Sequence, residues 1–155
     1  MTQAELNEIL EKHKLWLRGE AGGERADLKD VNLRGAKLMN SDLTHANLAY
    51  ADLTGADLST ANLAYADLTG ADLSTADLAY ADLTGADLSV ANLTNVRLLG
   101  ADMTVANMTG ADMRVADMRG AHLERAIFTI SKESEDLILQ LAEDIKKSRK
   151  EGTAQ

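Results

Sequence analysis

Neither proline nor cysteine occurs anywhere in the 155 residues. Without cysteine there is no disulfide framework, no thiolate metal site and no cysteine nucleophile. Aromatic residues number five: Trp16, Tyr50, Tyr65, Tyr80 and Phe128. The apolar content is mostly alanine and leucine, which suits a thin repeated core better than a thick globular one. No apolar run approaches the roughly 18 residues that a membrane-spanning helix requires. The N-terminal segment is polar and amphipathic and shows no secretory signal. A soluble, cytoplasmic protein without membrane contact is therefore the expectation. Positive charge is scarce too. The formal net charge is −9, and from Asp42 to Val96 there are eight Asp and no Lys or Arg. Phosphates are neutralised by Lys and Arg, so direct binding of nucleic acid is not expected.

What is present is a frame of five. From Ala26 to Ile130 it never slips, giving 21 pentads of the form Ala-Asp/Asn-Leu-x-x. The central residue is Leu from Leu28 to Leu98, then Met103, Met108, Met113 and Met118, then Leu123 and Phe128. Two places earlier stands Ala, except at Val31, Ser41 and Val96. Between them Asp occurs twelve times and Asn five, with Lys37, Arg97, His122 and Ile127 as exceptions. A period of five fits neither regular structure. On an α-helix the leucines would wander round the whole circumference, and on a straight strand successive leucines would alternate between faces. A short extended piece followed by a turn resolves both problems. Ala and Leu then point inward, and Asp/Asn and the two residues after Leu point outward. Stacked coils pair their backbones at the usual strand spacing.

This A(D/N)LXX pattern resembles the pentapeptide repeat proteins, over residues 26–130. The resemblance implies an all-β solenoid, a right-handed quadrilateral β-helix with four pentads to a coil. For 21 pentads it implies about five coils and a rod of roughly 25 Å at the strand spacing. Twenty residues per coil would stack Asp27, Asn47, Asp67, Asp87 and Asn107 in one column and Lys37, Asp57, Asp77, Arg97 and Asp117 in another. Like charges stacked directly are unfavourable, so the Asn and basic residues read as charge relief. From Ala46 the sequence also repeats every fifteen residues, as ANLAY-ADLTG-ADLST. Fifteen is three sides of a four-sided coil, so each copy starts one side back. Tyr50, Tyr65 and Tyr80 are then expected to be scattered and not stacked. So regular a repeat points to recent duplication or to deliberate design.

The flanks read as helices. Thr2 and Glu5 form a T-x-x-E capping box, and Leu6, Ile9, Leu10, Trp16 and Leu17 give an apolar face, with Gly19 and Gly22-Gly23 at its end. Residues 1–25 are thus expected to be a capping helix and turn. Residues 131–151 read as a second helix starting at Ser131, with a tail at 152–155. Its acidic start and basic end agree with the helix dipole. It would cap the far end as a monomer or, in the alternative, carry a homodimer through Leu137, Ile138, Leu139, Leu141 and Ile145.

No catalytic, cofactor or metal site is expected. His13, His45 and His122 are far apart in the chain, and no phosphate loop or HExxH motif occurs. The four consecutive methionines read as core packing. The leading functional expectation is a non-catalytic structural or interaction scaffold with an unidentified protein partner. The candidate surface is the acidic waist of Asp52, Asp57, Asp67, Asp72, Asp77, Asp82 and Asp87. The resemblance offers an alternative: some pentapeptide repeat proteins mimic DNA and bind DNA gyrase, so the acidic waist would engage a type II topoisomerase.

Overall fold

The computed structural model describes residues 1–128. The expected second helix, its proposed dimer contacts and the tail lie outside the described residues.

From Ala26 onward every pentad repeats the same local event. Three extended residues end in a turn closed by a backbone bond such as Val31 N–H to the Leu28 carbonyl, at 3.2 Å. The last residue of each pentad, from Asp30 to Arg125, has positive φ. That is the third position of a β-turn, here one that carries the chain round to the next side of the coil. Only seven of these twenty corners carry glycine. The others hold residues as unsuited to that region as Val90, Val105 and Val115, at a cost of roughly 1–2 kcal/mol each. The stacking of coils must offset that strain.

The stacking is regular. Parallel bridges link each residue before the central position to the residue twenty further on, from Asp27↔Asn47 to Asn107↔Ile127. The extended pieces are so short that each contributes one bridge and no longer strand. Leu28 N–H donates to the Asn47 carbonyl at 2.7 Å, and Asn47 N–H returns to the Ala26 carbonyl at 2.9 Å. A third bond, Asp30 N–H to the Ala49 carbonyl, fixes the corner. The bridges run in four columns, one per side.

The interior follows from the pentad. Leucines 28 to 98 and Met103, Met108 and Met118 are buried, as are nearly all the alanines two places before them. A fully buried leucine contributes about 1.5–3 kcal/mol, so the thin core gains stability by repetition. Met113 is only partly buried and packs against this cluster with Leu123 and Phe128. One expectation is corrected here: the two residues after the central leucine do not both face outward. Ala49, Ala64 and Ala79 are buried, and their carbonyls accept N–H bonds from Asp30, His45 and Thr60 of the coil before. The Asp and Asn residues along the sides are mostly half-buried.

Helix α1 spans Gln3–Leu17, with the expected Thr2/Glu5 capping box. It ends at Gly19, whose φ is +68°. Gly19 N–H and Glu20 N–H close back on the carbonyls of Trp16 and Leu15. Gly22 and Gly23 therefore do not end the helix. Instead they return the chain along it, and a side-chain carbon at Gly23 would strike the backbone of Trp16. The buried stripe also differs from expectation. Leu6 and His13 are fully buried, whereas Trp16 is 37% exposed and stacks its ring on His13 at 5.5 Å.

Besides packing Leu6, Ile9 and Leu10 on the core, α1 hydrogen-bonds to the first coil through two side chains. The Gln3 amide donates to the Lys37 carbonyl at 3.2 Å and accepts from Lys37 N–H at 3.1 Å. Ala26 N–H donates to His13 Nδ1 at 3.1 Å, which leaves Nε2 as the protonated nitrogen, 3.1 Å from the Thr44 carbonyl. Elsewhere the bonds corresponding to those at Lys37 and Thr44 come from the coil before. Gln3 and His13 stand in for peptide groups of a coil that is not there.

Candidate interaction surface

The acidic side chains are tied down before they can do anything else. At most positions before the central residue, Oδ1 accepts the backbone N–H two places on. The bonds Asp52–Thr54, Asp57–Ser59, Asp67–Thr69, Asp72–Ser74, Asp77–Ala79, Asp82–Thr84 and Asp87–Ser89 span 2.9 to 3.1 Å. Asp and Asn are favoured here because a short side-chain oxygen can hold the turn that follows. The Thr54 hydroxyl adds a bond to Asp52 and the Ser59 hydroxyl one to Asp57, each of 2.6 Å. These bonds hold both carboxyls below their ordinary range. Asp102 is lowered likewise by Thr104, Asp112 by Arg114 and Asp117 by Arg119.

The register decides which carboxylates are neighbours. Bridged Asp pairs occur once per column: Asp52 with Asp72, Asp57 with Asp77, Asp67 with Asp87, and Asp82 with Asp102. No column runs to three. Asn47 and Asn107 flank one pair, Asn32 and Asn92 the second, Lys37 and Arg97 the third, and Asn62 and His122 the fourth. The relief is direct in several places. Asn47 donates to Asp27 at 2.8 Å, Asn92 to Asp72 and Asn107 to Asp87 at 3.1 Å, and Arg97 to Asp77 at 2.7 Å. In each of these bonds the acceptor is a carboxylate oxygen. The seven candidate residues thus share no single face. Two lie on each of three sides and Asp82 on the fourth, so the acidic waist is a belt.

The tyrosines occupy corners of three different columns and do not stack on one another, as the fifteen-residue period requires. Twenty residues beyond each stands a glycine. A methyl group added at Gly70 would meet the Tyr50 ring at 2.5 Å, one at Gly85 the Tyr65 ring at 2.6 Å, and one at Gly100 the Tyr80 ring at 2.7 Å. Each ring therefore lies over the next coil's corner. The three remain 55%, 56% and 62% exposed. Tyr65 also stacks on His45 at 5.3 Å, and Lys29 Nζ lies 6.0 Å from the Tyr50 ring centre.

The histidines play three separate parts. His13 is buried under α1, His45 stacks on Tyr65, and His122 Nδ1 lies 3.9 Å from Glu124. Among the described residues no group of His, Asp and Glu is arranged to hold a metal ion, and no helix is long and apolar enough to cross a membrane. The roles of His13 and Gln3 had escaped the sequence reading. His13 does fall in the stripe of Leu6, Ile9, Leu10 and Leu17, which was the available signal. The Tyr–Gly pairs also escaped it, although adding twenty to each tyrosine number finds them.

The family model for pentapeptide repeats matches at residues 24–59, 56–95, 76–110 and 90–125. Among solved structures, a pentapeptide repeat protein of Nostoc Pcc 7120, alr5209, is 35% identical. That match covers 72% of this chain and 91% of the other, with a TM-score of 0.59. A pentapeptide repeat protein of the Arabidopsis thaliana thylakoid lumen is 33% identical over 74% of this chain and 75% of its own, with a TM-score of 0.35. HetL, a pentapeptide repeat protein of Nostoc sp. strain PCC 7120 involved in heterocyst differentiation regulation, is 32% identical. There 68% of this chain and 60% of HetL are covered, with a TM-score of 0.27. No protein of curated function matches the chain.

Proposed function

The chain belongs to the pentapeptide repeat family, and from that premise we propose that it is a non-catalytic interaction scaffold. In this reading it is a right-handed four-sided rod of about five coils, closed at its N-terminal end by α1. The observation that carries the reading is the commitment of the polar groups. The carboxylates that an enzyme would need free each give an oxygen to the turn that follows. What the rod offers a partner is a set of flat sides with a fixed pattern. The proposal takes the protein to be a cytoplasmic monomer, and light scattering after size exclusion reads its mass.

A second reading has one observation behind it, the run from Asp42 to Val96 without Lys or Arg. It makes the protein an acidic mimic of DNA that engages a type II topoisomerase. The belt weighs against it, since charge is spread around the axis and not laid along one side. One experiment separates the two. Purified protein is added in excess to gyrase supercoiling, alongside the Asp57→Asn/Asp72→Asn/Asp77→Asn variant. Asn keeps the oxygen that holds the turn, so the variant retains the fold. Unchanged supercoiling supports the scaffold. Inhibition by the parent chain that disappears in the variant overturns it in favour of the mimic.

A further inference from the structure

The fifteen-residue repeat laid on a twenty-residue coil does more than scatter the tyrosines. The extended piece holding Asp67 starts at Tyr65 and ends at Gly70, the corner covered by the Tyr50 ring. The piece holding Asp82 starts at Tyr80 and ends at Gly85, which the Tyr65 ring covers. Tyr50, Asp67, Tyr65, Asp82 and Tyr80 therefore alternate along a diagonal that crosses two adjacent sides of the rod. Beyond Tyr80 the next corresponding position is Arg97, which pairs with Asp77 and ends the track.

We propose that this aromatic–acidic diagonal is a docking surface for an extended, arginine-rich segment of a partner protein. The proposal deepens the scaffold reading and rests on it. Charge complementarity selects the occupant. The stretch from Asp42 to Val96 holds no Lys or Arg to compete for these carboxylates. Phosphate-bearing ligands are repelled by the same carboxylates. All three rings are more than half exposed, and a cation would approach them where His45 on Tyr65 and Lys29 beside Tyr50 leave them open. The chain itself supplies a precedent, since Lys29 already sets its ammonium 6.0 Å from the Tyr50 ring. Arginine suits the alternation better than lysine, because its planar guanidinium stacks on an aromatic face and forks onto a carboxylate. An extended chain advances about 3.3 Å per residue, so basic side chains at intervals of a few residues reach successive stations of the track.

The test uses the full chain with fluorescent octa-arginine, octa-lysine and an uncharged Gly/Ser octamer, read by anisotropy at moderate salt. Octa-arginine is expected to bind several-fold more tightly than octa-lysine, and the Gly/Ser peptide not at all. The key variant is Tyr50→Gly/Tyr65→Gly/Tyr80→Gly. Glycine suits the positive φ of 57°, 57° and 59° at these corners, so the rings go and the backbone stays, as circular dichroism would verify. At roughly two- to fivefold per exposed cation–aromatic contact, the variant binds octa-arginine about tenfold or more weakly. Asp67→Asn/Asp82→Asn weakens binding as well, whereas Asp57→Asn, on another side, leaves it unchanged. Equal binding of octa-arginine by parent and glycine variant reduces the effect to bulk charge and overturns the proposal, as does no binding at all. If octa-arginine fails and supercoiling is unaffected, the track falls and the scaffold stands. If supercoiling is inhibited through the carboxylates, the scaffold itself falls.

Discussion

The middle coils and the first coil are built from the same pentad but held by different means. In the middle, each coil is bonded above and below by backbone groups that almost any residue supplies. At the first coil the lower partner is replaced by the Gln3 amide and the His13 imidazole, with Gly23 pressed against the helix backbone. A repeated interior tolerates exchange of its outward residues because its bonds are anonymous. The end depends on particular side chains, and a single change there has no neighbour to compensate it.

The sharpest way to break this contrast is inside the repeat. Leu68→Ala opens a cavity in the middle of the core and is expected to cost about 2–5 kcal/mol, lowering the whole transition in denaturant titration. Gly23→Ala acts only at the end. The added carbon meets the Trp16 backbone, and relief of such overpacking costs roughly 1–3 kcal/mol. Hydrogen exchange should lose protection at Lys37 and Ala26 while central amides such as Asp67 keep theirs.

The contrast also has a pH signature. Burial holds the His13 pKa below its ordinary 6.5. The carbonyl of Thr44 and the charge of Asp42 oppose the shift, and Arg25 and His45 add to it. Because the folded state releases its proton at lower pH than the unfolded chain, stability is complete above 6.5. It declines as pH falls below that value, by at most about 1.4 kcal/mol per pH unit. Trp16, stacked on His13, reports the loss by fluorescence, and His13→Leu abolishes the pH response. The coils have a separate window. Asp52, Asp57 and Asp102 lie below the ordinary 3.8, so their contribution persists until the pH falls through that value.

The smallest effect compares two corners. Gly55→Ala and Gly85→Ala both place a side chain at a φ of +65°, each at roughly 1–2 kcal/mol. At Gly85 the Tyr65 ring must also move aside. The difference in melting temperature between the two variants measures what the ring contributes by covering that corner.

The interior of the rod was legible because the pentad repeats its instruction. Alanine and leucine two apart must share a face, and a turn every fifth residue brings each pair to one axis. The columns of Asp and Asn followed once a coil was taken as twenty residues, down to the flanking of Asp57 and Asp77 by Lys37 and Arg97. The end was less legible. Gln3 is one polar residue among several on a solvent-facing turn, and its bond to Lys37 depends on a missing coil, which no local pattern encodes. His13 was overlooked because an apolar stripe is read by its leucines. The candidate carboxylates were identified as acidic, but their geometry needed the register. A run of Asp in sequence became a ring in space, and the tyrosines became meaningful only beside glycines twenty residues away.

The mismatch between a fifteen-residue unit and a twenty-residue coil makes copy number an indexing device. Inserting or deleting one unit leaves the core register intact, because every pentad remains a pentad. Everything beyond the change, however, turns by one quarter of a revolution relative to the helix at the start. Four units together span three full coils and restore the original alignment. Unequal exchange between copies can thus re-aim one end of the rod against the other in steps of about 90° without disturbing the packing inside.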